Sequence, residues 1–185
     1  MHRCRLHVTG ASGVGSTTLG RAVAGEWSVP HADADDYYWV PTTPPYAVKR
    51  PVAERLALME SLFLPRDAWV LSGSVSGWGG TLATRFDAVV FLTLDAGTRL
   101  QRLRARETRR YGRSIEPGGS GVAAHRAFLD WAAGYDDPSF AGRNRLEQER
   151  WLSALTCPVL RLDSAEPVAR LLPAIDSWEP GSGTR

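Results

Sequence analysis

A strand-like run, Cys4-Arg5-Leu6-His7-Val8, leads into Gly10-Ala11-Ser12-Gly13-Val14-Gly15-Ser16-Thr17. That is the spacing Gly-x4-Gly-Lys-Ser/Thr of a phosphate-binding loop, with serine where lysine should stand. The loop dictates its surroundings, because it needs a buried strand before it and a helix after it. Leu19, Ala22, Val23 and Trp27 supply helical spacing downstream, and only His7 interrupts the apolar run upstream. Glycines let backbone N–H groups turn inward around phosphate oxygens, and the helix N-terminus adds its positive dipole end. Residues 10–18 therefore form the candidate phosphate site: Gly10, Gly13, Val14, Gly15, Ser16, Thr17 and Thr18. Thr17 falls where a hydroxyl would ligate Mg2+.

Strand-like segments alternate with helical ones along the rest of the chain. The strands are Ser28 to Ala32, Trp69 to Ser72, Ala88 to Leu94 and Pro158 to Leu162. The run from Ala88 is continuously apolar, as in a strand covered on both faces. Helical patterns occupy 17–27, 51–64, 96–110, 122–134, 144–155 and 166–175. This alternation predicts an α/β fold with a parallel sheet between two helical layers and ligands beyond the carboxyl ends of its strands. One domain over 1–178 and a frayed tail at 179–185 are expected. The proline-rich stretch 40–51 and the glycine-rich stretch 112–121 read as mobile covers.

Composition narrows the function classes. A net charge of +2 gives no reason to expect a nucleic-acid or membrane partner. No targeting segment or membrane-length apolar run is visible, so the chain reads as cytoplasmic. Two cysteines, Cys4 and Cys157, each at a strand entry, suit a reducing compartment rather than a disulfide framework. No His and Cys set has zinc-ligand spacing. Lys49 is the only lysine, so a catalytic cation here should be an arginine.

Three carboxylates, Asp33, Asp35 and Asp36, crowd the end of the second strand. Beside a phosphate loop, Asp33 can hold Mg2+ and Asp35, taken as facing the same way, can accept a proton from a substrate hydroxyl. A solvated acidic turn is the structural alternative. Tyr38 can wall a substrate pocket, and Lys49 and Arg50 are the candidates to grip an anionic acceptor. Arginines 99, 102, 106, 109 and 113 step by three and four along one helical face. Such a row can clamp phosphate oxygens bidentately, with Arg106, Arg109 and Arg110 the leading candidates. The alternative is an ordinary wet face. The Ser72 to Gly80 loop lacks the aspartate that often holds Mg2+ in such proteins, which moves the metal role to Asp33.

Taken together, the loop at 10–17, Asp33-x-Asp35 and the arginine-rich helix at 99–113 resemble the adenylate-kinase-like branch of P-loop kinases. The resemblance covers most of the chain. It implies a three-layer P-loop fold with a five-stranded parallel sheet ordered 2-3-1-4-5 and a helical lid at about 99–126. It also implies ATP and Mg2+ as cofactors and transfer of the γ-phosphoryl group to a small acceptor (a nucleotide, nucleoside or metabolite) by a monomer or homodimer. By the same resemblance, the turn after the last strand, from Leu162 to Val168, holds the adenine ring, which makes Asp163 a cofactor-binding candidate. Ser16 departs from the pattern and removes a cation that stabilises the β- and γ-phosphates, a loss of a few kcal/mol unless replaced. A lid arginine, Arg106 or Arg110, is the expected catalytic replacement beside Asp35. The alternative function is a nucleotide-binding protein with weakened catalysis that acts as a sensor or interaction module.

Overall fold

The computed structural model describes residues 3–179, so most of the expected frayed tail lies outside the described residues. Five strands form one parallel sheet in the order β2-β3-β1-β4-β5. They are β1 (Arg5–Gly10), β2 (His31–Asp33), β3 (Trp69–Ser72), β4 (Ala88–Thr93) and β5 (Val159–Asp163). The helices are α1 (Ser16–Trp27), α2 (Ala34–Tyr38), α3 (Val52–Leu62), α4 (Ala96–Tyr111), α5 (Val122–Ala133), α6 (Arg145–Ser153) and α7 (Val168–Asp176). The fold class and sheet order are those expected from the sequence. Among the described residues, no helix is long and apolar enough to cross a membrane.

Period-two alternation divides the core between the two sheet faces. Leu6 and Val8 of β1 and Ala88, Val90 and Leu92 of β4 pack against Leu19, Val23 and Trp27 of α1 and Leu171 and Ile175 of α7. On the other face Leu71, Val89 and Phe91 meet Met59 and Phe63 from the α3 side and Leu152 of α6. Both faces are covered, which accounts for the unbroken apolar run in β4. β1 carries two buried polar residues on its second face, His7 and Thr9. Thr9 Oγ1 accepts a hydrogen bond from Gln148 Nε2 at 3.1 Å, tying the strand to α6 immediately before the phosphate loop.

His7 is fully buried, stacked on Phe86 at 4.7 Å and edge-on to Trp151 at 5.9 Å. Its Nδ1 lies 3.0 Å from Leu71 O, which requires a proton on Nδ1, and its Nε2 has no partner. Desolvation of the charged ring outweighs that bond and lowers the pKa from 6.5 to about 4. The folded chain therefore binds fewer protons than the unfolded chain between those values, and stability falls as pH drops through that window. At about 1.4 kcal/mol per pKa unit, wild type should lose ~2–3 kcal/mol more unfolding free energy than His7→Leu between pH 7 and pH 4.5. Urea titrations of both proteins at the two pH values check this, and equal losses would contradict it.

Candidate active site

The loop after β1 turns on Gly13 (φ +84) and Gly15 (φ +97), conformations that L side chains rarely adopt. Val14 N donates to Ala11 O at 3.2 Å, and the Val14 side chain is buried in the core, pinning the loop from beneath. The helical bond from Leu19 N to Gly15 O, 3.0 Å, then starts α1. No side chain caps α1, and no acidic residue stands in its first turn. Its orphan N–H groups, including those of Ser16, Thr17 and Thr18, are thus left without a side-chain acceptor.

Two separate elements bring the candidate metal ligands together. Thr17 Oγ1, on α1, donates to Asp33 Oδ2, at the end of β2, at 2.8 Å. Gly73, at φ +104, lets β3 end tightly against the start of α2, because a Cβ there would stand 3.0 Å from the Ala34 Cβ. Asp35 does not continue the strand, so the alternation used to orient it from sequence does not apply. Instead Asp33 is the N-cap of α2, its Oδ1 accepting from Asp35 N at 3.1 Å. Cap and first-turn positions share the mouth of a helix, so the two carboxylates meet by capping rather than by pleat. Asp35 keeps contact with solvent at the cleft mouth, yet crowding by protein atoms raises its pKa, reinforced by Asp33 and opposed by Arg143 and Arg106.

The arginines are distributed differently from the sequence expectation. Arg99 is buried, ion-paired with Asp136 and packed over Tyr135, so it belongs to the scaffold. Arg102 donates to Ser164 O at 3.0 Å and to Val14 O at 3.5 Å, clipping the turn after β5 to the phosphate loop. Arg106 pairs with its neighbour Glu107 at 3.0 Å and lies over Phe128. Arg110 lies over Tyr46, and Arg109 is exposed. None of Arg106, Arg109 and Arg110 hydrogen-bonds the loop. One helical face passes from core to cleft rim to solvent along its length, so even stepping does not give even environments. The two expected covers make contacts of their own. Tyr46 from 40–51 rests against α4, and 112–121 folds into a turn closed by Gly121 N to Ser114 O at 2.8 Å.

The residues expected to grip an acceptor lie in different settings. Arg50 donates to Tyr37 O at 3.0 Å and Trp39 O at 3.2 Å, which makes it a backbone clamp, while Lys49 is exposed and its backbone bridges to Trp39. Sequence reasoning missed Arg55. It is 5% exposed, with its guanidinium 3.8 Å from the Tyr38 ring centroid and 5.1 Å from that of Trp78. Its Nε donates to Arg50 O at 2.7 Å, and among the described residues no carboxylate forms an ion pair with it. The available signal was an arginine in register with the apolar stripe of α3, four residues before Met59. Arg143, just ahead of the Asn144 cap of α6, was also missed. It donates through Nη2 to Ser12 Oγ at 3.1 Å and to Gly10 O at 3.4 Å. Asp163 turns inward on its own loop, accepting from Ala165 N at 2.9 Å, while the neighbouring Ser164 Oγ is buried without a partner.

No established protein-family profile matches the chain. Its sequence is 42% identical over 158 residues to the uncharacterized protein YqaC of Bacillus subtilis strain 168, covering 85% of this chain and 87% of YqaC. The chain belongs to the YqaC family. Solved structures with the same fold include a shikimate kinase from Aquifex aeolicus (TM-score 0.52, 12% identity, 92% of each chain). Others are a shikimate kinase from Bacteroides thetaiotaomicron (TM-score 0.51, 19% identity, 94% of this chain and 98% of that one) and a sugar kinase from Janibacter (TM-score 0.50, 15% identity, 95% and 94%). These likenesses identify a P-loop kinase fold for this YqaC-family chain.

Proposed function

We propose that this protein is an ATP-dependent phosphotransferase that acts on a small acceptor carrying a hydroxyl and an anionic group. The observation that carries the reading is the meeting of Thr17 and Asp33 at 2.8 Å, at the mouth of an uncapped helix and two residues from Asp35. A hydroxyl, a carboxylate and free helix N–H groups at one point fit a nucleotide phosphate chain and its Mg2+. Bound ATP·Mg2+ supplies the transferable phosphoryl group and a metal charge that offsets the phosphates. Thr17 and Asp33 are the residues that would hold the metal.

Asp35 is the acceptor's general base. Its raised pKa brings a carboxylate closer to the pH at which a proton must be taken and released, and its solvent contact leaves it reachable. Arg55 holds the acceptor's anionic group. A guanidinium held against two aromatic rings, and with no carboxylate ion-paired to it among the described residues, retains donors for a bidentate partner. Tyr38 and Trp78 then fix the plane of that guanidinium. Arg102, clipped between Val14 O and Ser164 O, keeps the turn after β5 at a fixed distance from the phosphate loop, where the nucleobase would lie.

A coupled ADP-release screen over sugars, hydroxy acids, nucleosides and nucleoside monophosphates, with neutral and anionic members of each class, tests the reading. An anionic acceptor should stimulate ADP release well above the rate with water. ATP·Mg2+ binding without stimulation by any acceptor would instead favour the catalytically weakened binding protein.

A further inference from the structure

We propose that Arg143 supplies, from the opposite side of the loop, the positive charge that Ser16 does not. This rests on the phosphotransferase reading and assigns one residue within it. Arg143 touches the loop only through neutral oxygens, Ser12 Oγ at 3.1 Å and Gly10 O at 3.4 Å. Among the described residues its buried Nε has no hydrogen-bond partner and no carboxylate forms an ion pair with it. The guanidinium carbon lies over the Trp131 ring, 5.6 Å from its centroid, a cation–π contact that helps hold the side chain in place. A cation so placed lacks only an anion, and the loop it leans on is the one whose N–H groups face phosphate.

The groups around it leave that role open. Asp35 and Tyr135 face it electrostatically but do not hydrogen-bond it, and Arg99, the other nearby cation, is already paired with Asp136. Tyr135 Oη donates to Gln148 Oε1 at 2.7 Å, and Gln148 donates to Thr9 Oγ1 at 3.1 Å. The segment bearing Arg143 is thereby fixed to the end of β1, so the guanidinium and the loop keep a constant register. Arg102, the second arginine on the loop, is a poorer candidate because both of its bonds are to backbone carbonyls that hold the turn after β5. Arg106 and Arg110, favoured from sequence, bond elsewhere.

Calorimetric titration of ATP·Mg2+ and ADP·Mg2+ into wild type, Arg143→Gln, Arg143→Lys and the double variant Arg143→Gln/Ser16→Lys tests the assignment without an acceptor. A charge-assisted bond to phosphate corresponds to roughly 10–100-fold in affinity. Arg143→Gln should lose about that much for ATP and less for ADP, and Arg143→Lys should fall between it and wild type. Ser16→Lys should return the double variant to within ~3-fold of wild type. Unchanged titrations in Arg143→Gln would overturn the assignment. So would an equal loss for both nucleotides that Ser16→Lys leaves unrepaired, since Arg143 would then only brace the loop. If Arg143→Gln melts well below wild type, the comparison of Arg143→Lys with wild type decides by the same ATP-over-ADP criterion. Wild type that binds neither nucleotide overturns the phosphotransferase reading, and this assignment with it, whereas normal wild-type binding that is insensitive to Arg143 overturns the assignment alone.

Discussion

Gly13→Ala should weaken ATP·Mg2+ binding by ~100-fold or more while leaving a folded protein. Gly13 sits at φ +84, and an added Cβ would stand 2.6 Å from Arg99 O and 2.9 Å from Leu103 Cγ. Arg99 O is backbone and Leu103 is fully buried, so neither can yield easily. The loop must lift from α4, or α4 must move and carry Arg102 and Arg106 with it. A loss of ~100-fold corresponds to about 2.7 kcal/mol, within the range expected for a strained φ combined with displaced phosphate donors. Gly25→Ala in α1 is the control, because nothing lies within 4 Å of its Cβ and a helical alanine is favoured by up to ~1 kcal/mol. Titration calorimetry and a thermal melt on both variants give the answer. Equal nucleotide affinity in folded Gly13→Ala would remove the loop from the binding site.

Asp35→Asn should reduce turnover on the best acceptor by ~10²–10⁴-fold with ATP·Mg2+ affinity retained, the range for loss of a general base. Asp33→Asn should behave differently, raising the Mg2+ concentration needed for half-maximal rate. Separate effects are expected because Asp33 is held by Thr17 and the α2 cap, whereas Asp35 is exposed and has Arg106 and Arg143 as electrostatic neighbours. A second readout is independent of the acceptor. Crowding by protein atoms raises the pKa of the solvent-contacting Asp35 in the folded state, so the ionised group opposes folding once pH exceeds its unfolded value. Asp35→Asn should therefore raise Tm at pH 7 and have little effect near pH 3. A variant at full speed, or one less stable at pH 7 than at pH 3 relative to wild type, would contradict the assignment.

The sheet was legible because its signals are local. Each strand is a short apolar run, and the glycines after β1 can only belong to a tight strand-to-helix turn. Thr17 and Asp33 could be singled out as candidate metal ligands from sequence, since one follows β1 and the other ends β2 of a single sheet in which β3 lies between them. Asp35 was placed near its true neighbours for the wrong reason, because a three-residue strand ending in a capping aspartate looks like a longer strand in sequence. The cations were the least legible part. Arg55 and Arg143 owe their positions to contacts across 23 residues to Trp78 and across 131 residues to Ser12, which no periodicity records. Arg99 and Arg106 share a helical face, yet one is sealed against Asp136 and the other opens on the cleft.

Phosphorus NMR of ATP·Mg2+ with the protein and the acceptor chosen by the ADP-release screen tests the central claim most directly. The account predicts that the γ-phosphate resonance disappears as a phosphoester or phosphoanhydride resonance of the acceptor grows in equal amount, and that Asp35→Asn suppresses both changes. Loss of the γ-phosphate resonance into free phosphate alone, at the same rate with and without acceptor, would contradict it.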